Sequence, residues 1–409
     1  MSSTFDALFT SSPKELTASQ DFALSYSRFF KANYRSLPIY KQNPCYRSFH
    51  KPFHHIESDN PNIHLSSVIM SVVTRAKRKR TGSSSGTGPA VNLAVLQQHP
   101  TLWYEDGNVV ISAGKTMFLV HRSLLSRQSD VLAGLMLSAV QSHGSSPVEG
   151  CPLVTLDNSA DDIAVVLTAI YDSRPFIQGI QLTFSTVSAM FRLGSEYKIQ
   201  WLRDEALSRL QACYPDTLAK YDELVDRFDP KRPMPWTHTQ DYEVALLAQS
   251  YFLNSILVTA LYECCTGKPW ELLLRLGLNE EGRQTPSTSV PFNRELIQKL
   301  FRGRSELVTL RTTQTFGFID EKILTKGCTK KSLQMCLLVI HDMATNAHKL
   351  GLLMDNACAL DQEEDFIDEA GKGGCQSCIA LWKKRHRAGR QRVWDSLYMV
   401  FRVPEELDL

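Results

Sequence analysis

Two cysteines separated by two residues, Cys375 and Cys378, form the pattern in this chain best suited to holding a metal. Thiolates at that spacing can grip one zinc ion, but zinc takes four ligands in a tetrahedron. No matched second pair stands beside them; Cys358 and His386 are the residues the sequence offers to complete a set. The alternative is a pair of structural thiols, and on balance no metal and no cofactor is expected. His121 is the residue that could move a proton, yet nothing near it in sequence forms a base and its orienting partner. The adjacent Cys264 and Cys265 lie in a helical pattern and should point about 100° apart, one of them toward the core. No histidine is close enough in sequence to activate either as a nucleophile.

Phosphate chemistry is poorly served. Gly114, Lys115 and Thr116 match the end of a phosphate-binding loop, but Val109 stands where its leading glycine belongs. The dinucleotide fingerprint and the serine-nucleophile elbow are absent. The sequence therefore predicts a protein that is not an enzyme.

Charge is local rather than global. The 409 residues carry a net charge of +2, which selects neither nucleic acid nor an anionic surface. Lys77, Arg78, Lys79 and Arg80 form a short basic block of the nuclear-import type, or else a solvated charge run. A second basic stretch, Lys383 to Arg392, follows an acidic one, Asp361 to Glu369. Opposite blocks this close are expected to pair with each other; contact with nucleic acid is the alternative. Ten cysteines placed mostly in helical patterns fit a reducing compartment better than a disulfide scaffold. The longest apolar stretch, Val244 to Tyr262, is broken by Gln249, Ser250, Asn254 and Ser255, so it reads as a buried helix. No secretory signal is visible, and an intracellular location, nucleus or cytoplasm, is expected.

Three segments are expected. Residues 1–90 read as a disordered tail, ending in the basic block and a Gly/Ser linker, with Met70 as a candidate alternative start. Residues 91–214 alternate strand and helix patterns, as in an α+β domain with helices on a small sheet. Val109–Ile111 and Met117–Val120 should form a hairpin turned at Gly114, with a third strand at Leu153–Leu156. Ser129 and Ser159 are candidate helix N-caps, and Asp162 adds a weak capping-box match. Val131, Leu132 and Leu135 should share one helix face. Helices are expected over Phe184–Tyr197 and Gln200–Tyr214, the second burying Leu202, Ala206 and Leu210. Residues 215–409 should be all helical: one long helix over Tyr242–Cys265 with Phe252 inward, then Phe292–Val308 and Leu333–Met354 with Leu337 inward.

Four segments together carry a resemblance: Leu102–Ile111, Phe118–Leu132, Val154–Asp172 and Leu193–Leu207. In order and spacing they resemble a BTB/POZ domain, and are most similar to the single-BTB proteins of basidiomycete fungi. The motif residues are Asp106, Phe118, His121, Leu125, Ser129, Leu132, Leu156, Leu167, Tyr171 and Tyr197. The resemblance implies that His121 anchors a strand–helix corner and that Phe118, Leu125 and Leu132 are core anchors. Gly107 and Asn108 lengthen the connection after Asp106 relative to the animal pattern. The strand that many transcription-factor relatives exchange between partners is not clear upstream; Val91–Leu96 could be strand or helix. What the resemblance implies about function is a protein-interaction module: a homodimer, and a scaffold that could link an unknown substrate to a cullin-type ubiquitin ligase. The alternative is a nuclear transcription or chromatin regulator using the same dimer.

Overall fold

The computed structural model describes residues 96–141, 148, 150–176, 179–224, 229, 231–237, 239–266, 276, 291–320, 324–326, 328, 330–349, 351–353 and 356–405. The basic block Lys77, Arg78, Lys79 and Arg80 and the segment Val91–Val95 lie outside these residues.

A four-stranded sheet forms from β1 (Gln97–Trp103), β2 (Val109–Ala113), β3 (Thr116–Val120) and β4 (Leu153–Leu156), in the spatial order β1-β3-β2-β4. The expected hairpin is β2–β3, paired antiparallel from Val109 with Val120 to Ala113 with Thr116. Gly114, at φ +57°, makes its turn. Both strands are buried nearly throughout, which explains why they read as apolar runs rather than alternating ones. β4 lies parallel to β2. β1 is a strand the sequence pattern does not announce. It runs parallel to β3 and its register slips between Gln98 and Trp103, around Pro100. Proline cannot donate to a ladder and is confined to edges and irregularities. The same edge position leaves most of β1 exposed, so its hydrophobic signal is weak.

After the hairpin come α1 (Arg122–Gln128) and α2 (Asp130–Gln141); after β4 come α3 (Ala160–Tyr171), α4 (Phe184–Glu196) and α5 (Gln200–Cys213). The Ser129 hydroxyl accepts the Leu132 N–H at 3.0 Å, as an N-cap should. The Ser159 hydroxyl accepts the Asp162 N–H at 3.1 Å. Only half of the capping box forms there, because the Asp162 carboxylate pairs with Arg192 at 3.0 Å instead. On α2 the core face is Leu132 and Met136; Leu135 is exposed, contrary to the expected grouping. Leu202, Ala206 and Leu210 are fully buried, as their spacing predicts.

The remaining chain is helical among the described residues: α6 (Leu218–Asp222), α7 (Gln240–Tyr251), α8 (Asn254–Cys265), α9 (Arg294–Leu310), α10 (Gly317–Asp320), α11 (Lys330–Lys349), α12 (Glu364–Ala370) and α13 (Gln376–Phe401). Here the expected long helix over Tyr242–Cys265 is corrected. It breaks at Phe252, which adopts φ +58° and is 80% exposed. No glycine marks that break, so the pattern of apolar residues runs through it. Leu337 likewise faces outward while Cys336, Ile340 and Met343 are buried. A wide π-type turn, Arg311–Thr315, follows α9 directly.

Among the described residues two large apolar cores result, with a small third cluster of Val110, Met117 and Leu119 on the other face of the sheet. The larger runs from the sheet (Ile111, Phe118) through α5 and α8 to α9. The smaller gathers Phe316, Ile340, Met343, Phe366, Ile367 and Trp382. α13 belongs to both: Cys378 and Trp382 enter the smaller core, and Val393, Leu397 and Phe401 the larger. Among the described residues no helix is long and apolar enough to cross a membrane.

Candidate functional site

The strand–helix corner at His121 gathers the polar motif residues. β3 ends at Val120 and α1 starts at Arg122, so His121 occupies the N-cap with an extended backbone. Its own side chain does not cap the helix. Asn108 does so from across the hairpin: its Oδ1 accepts the Arg122 N–H at 2.8 Å. Gly107 permits that approach, because a Cβ there would sit 2.6 Å from Leu119 Cγ. The two residues that lengthen this connection therefore have a packing role and a capping role.

His121 itself is bracketed. Its backbone N–H donates to the Tyr171 hydroxyl at 2.7 Å, and its Nδ1 meets the same hydroxyl at 2.8 Å. Its Nε2 lies 3.2 Å from Asp106 Oδ1. The network fits an imidazole that accepts at Nδ1 and donates at Nε2 to the carboxylate. The sequence showed no orienting partner for His121; the fold supplies Asp106 from the preceding loop. Tyr104, to which spacing assigns no role, stacks on Tyr171 at 4.5 Å between ring centroids. Burial pushes the Tyr171 hydroxyl up to about 12, so it keeps its proton across the physiological range. The protonated hydroxyl accepts the His121 N–H and can donate to its Nδ1, bracketing the imidazole. Tyr171→Phe leaves the His121 N–H without its acceptor, and we expect a loss of about 1–3 kcal/mol in unfolding free energy. Urea denaturation of the two proteins side by side checks this.

The other motif residues are structural. Phe118, Leu125, Leu132, Leu156, Leu167 and Tyr197 are buried in the larger core. Ser129 Oγ donates to the Tyr197 carbonyl, tying the start of α2 to the turn between α4 and α5. The Tyr197 hydroxyl donates to Asn158, and burial pushes its ionisation well up. Asp106 is the exposed member of the set.

The cysteines are placed differently from the expected grouping. Cys264 and Cys265 are both fully buried, whereas helical spacing put one of them inward. α8 is buried on every side from Ile256 to Cys265, so neither cysteine faces solvent. Cys375 and Cys378 stand at the start of α13 and are joined by Cys328, in the loop before α11, and Cys336 on α11. The four sulfurs all lie within 4.8 Å of one another. Cys358 is not among them: its sulfur is disulfide-bonded, and its carbonyl accepts from Arg311. His386 is committed elsewhere: Nε2 accepts the Glu363 N–H at 3.1 Å and Nδ1 donates to the Thr315 carbonyl at 3.2 Å.

Two residues of the basic stretch, Lys383 and Arg387, pair with the acidic one; the others turn elsewhere. Arg387 grips Glu364 with both nitrogens, at 2.5 and 2.6 Å, and Lys383 meets Asp368 at 2.5 Å. Arg390 is buried on Asp222 and the Leu360 carbonyl. Arg392 donates to Gln314 at 2.6 Å. Lys384 and Arg385 remain exposed. Trp382 packs inside the smaller core and Trp394 tilts on Tyr221, both beneath this helix. A polar notch of about 260 Å³ lies beside it, lined by Thr313, Gln314, Arg385 and Arg392 among others, with no carboxylate, histidine or thiol on its wall.

The class these observations define is a mixed α+β body with a small four-stranded sheet and many helices. Among protein-family models none matches the chain, and no curated protein is significantly similar to it.

Proposed function

We propose that this chain is a protein-interaction scaffold built on a BTB/POZ-like body over residues 91–214, with the helical region 215–409 extending it. The observation that carries the reading is apolar exposure on α1 and α2. Leu135 is exposed on one flank of the buried Leu132–Met136 stripe and Leu137 and Val140 on the other, with Leu124 of α1 also open to solvent. Exposed apolar side chains of this kind on a small domain suit burial against another protein. Further support comes from the polar motif residues. Asp106, His121 and Tyr171 bond one another at a strand–helix corner, an arrangement that fits an anchoring role. The scaffold works by holding two proteins together and raising their local concentration.

On this reading the chain is a homodimer, and one of its faces recruits a cullin-type ligase scaffold while another takes a substrate protein. The chromatin-regulator alternative leans on the Lys383–Arg392 stretch. Half of its six cationic side chains, Lys383, Arg387 and Arg390, are already paired with carboxylates of the chain, which favours the scaffold.

Size-exclusion chromatography with light scattering on the full chain at micromolar concentration is the test. A mass twice the 46.2 kDa of one chain is expected, falling to a single chain or failing to engage cullin when Leu137→Asp is introduced. A wild-type monomer that also captures no cullin from a purified mixture overturns the reading. Steeply salt-dependent DNA binding by the wild-type protein would favour the chromatin alternative.

A further inference from the structure

We propose that Cys328, Cys336, Cys375 and Cys378 bind a single Zn²⁺ ion, and that this ion closes the smaller core. The separations are those of one tetrahedral site. Cys328 Sγ lies 3.7 Å from Cys336 Sγ and 3.8 Å from Cys375 Sγ, and every sulfur pair falls within 4.8 Å. Four thiolates around zinc, each at about 2.3 Å, have edges of about 3.8 Å. Iron–sulfur clusters hold their cysteines around several metal atoms and need them further apart. Calcium and magnesium take oxygen ligands, and here all four ligands are soft sulfur, which suits zinc.

The surroundings suit bound thiolates. Cys375 donates its backbone N–H to Cys336 Sγ at 3.2 Å, the kind of second contact that steadies a metal-bound sulfur. Cys336 and Cys378 are fully buried while Cys328 and Cys375 are partly open. The turn Gly371–Gly374 brings α12 back to the start of α13, with Gly373 at φ +97°, and so presents Cys375 and Cys378 to α11. All four positions of the tetrahedron come from protein, leaving none for water or substrate. That closed set marks a structural site and not a catalytic one.

The ion also answers a physical need. The smaller core is modest beside the larger one: its bulky buried side chains are Phe316, Phe318, Ile319, Val339, Ile340, Met343, Leu352, Phe366, Ile367 and Trp382. The cysteines lie at its border, on three separate stretches of chain. A small core commonly relies on a metal to hold such stretches together. Zinc displaces the four thiol protons on binding, so its affinity falls as pH is lowered.

The test uses the full chain, reduced and purified without added metal. Elemental analysis is expected to find one zinc per chain. Cobalt added in its place should give the strong visible bands and thiolate charge-transfer absorption of a tetrahedral sulfur site. Cys375→Ser with Cys378→Ser should abolish zinc retention, while Cys213→Ser, which lies in the larger core, should keep it. Because the double variant could fail to fold, thiol labelling of the wild-type protein gives an independent readout. The four thiols should be protected in the zinc-loaded protein and become reactive on chelation. Absence of zinc both as purified and after addition of zinc chloride overturns the proposal. So does iron in the site, zinc retention in the double variant, or an intact mass showing two disulfides among these cysteines.

Discussion

Arg311→Ala is expected to destabilise the protein by about 3–5 kcal/mol, the range for removing one partner of a buried ion pair. Arg311 is completely buried at the head of the π-type turn. Its Nε donates to the Leu352 carbonyl at 2.6 Å, one terminal nitrogen donates to the Cys358 carbonyl, and the other to Glu363 at 2.8 Å. Its guanidinium also lies over the Phe316 ring, 5.1 Å from the centroid. One side chain thus serves the backbone between α11 and α12, whose described residues lie in no strand or helix that would satisfy their carbonyls. Truncation strands the Leu352 carbonyl and the Glu363 carboxylate, which is 5% exposed, and leaves the Cys358 carbonyl with the Asp361 N–H alone. Lysine should recover little, because a point charge with three donors cannot reach three directions in one plane. Urea unfolding followed by tryptophan fluorescence, with Trp382 in the core this network adjoins, measures the effect. A loss under 1 kcal/mol for Arg311→Ala would show that the segment is held by other means.

Acid should weaken the fold in a window set by His386. Burial, with the nearby Arg390 and Arg311 charges adding to it, lowers this imidazole to about 4, against the pull of the Thr315 carbonyl and Glu364 in the other direction. The folded protein therefore holds His386 neutral where the unfolded chain, at its ordinary value of 6.5, would already bind a proton. Its contribution is complete above pH 6.5 and is lost as pH falls from there toward 4. The loss amounts to about 3 kcal/mol, at about 1.4 kcal/mol per pKa unit. Other groups move both ways: the Arg387 hydrogen bond holds Glu364 below its ordinary value of 4.5, while burial lowers His99 and raises Glu243. The His386 share of the fall from pH 6.5 to 5 is therefore the part that a His386→Gln variant removes. Chemical denaturation at half-unit steps should show stability falling through that interval, and His386→Gln should flatten the fall. An unchanged slope in the variant would assign the effect to other groups.

How much of this was legible in the chain depends on how local the cause is. Ser129 and Ser159 cap helices three residues away, and a three-residue rule finds them. The hairpin reads from its own turn and apolar runs. β1 escaped because Pro100 and an exposed, polar face erase both strand signals. The break at Phe252 escaped because a left-handed residue is sought at glycine, not at phenylalanine. The cysteine site shows the same limit more sharply. Cys375 and Cys378 announce themselves by spacing, but Cys328 and Cys336 reach them only through the packing of α11 on α12 and α13. Proximity along the chain pointed to Cys358 and His386, and tertiary structure gave both of them other work. Arg311 had no signature at all, since its three acceptors lie beyond residue 350.

The dual membership of α13 has a consequence for how the molecule is made. This helix is synthesised after every element it rests on, yet it supplies Phe401 and Leu397 to one core and Trp382 to the other. The sheet body can gather while the ribosome is still translating, because its own apolar residues are already in hand. The helical half cannot. Leu296, Leu300 and Met343 must wait, uncovered, until residue 401 has left the exit tunnel. The nascent chain thus passes through a stage of exposed apolar surface, during which it is a client for chaperones and prone to aggregate.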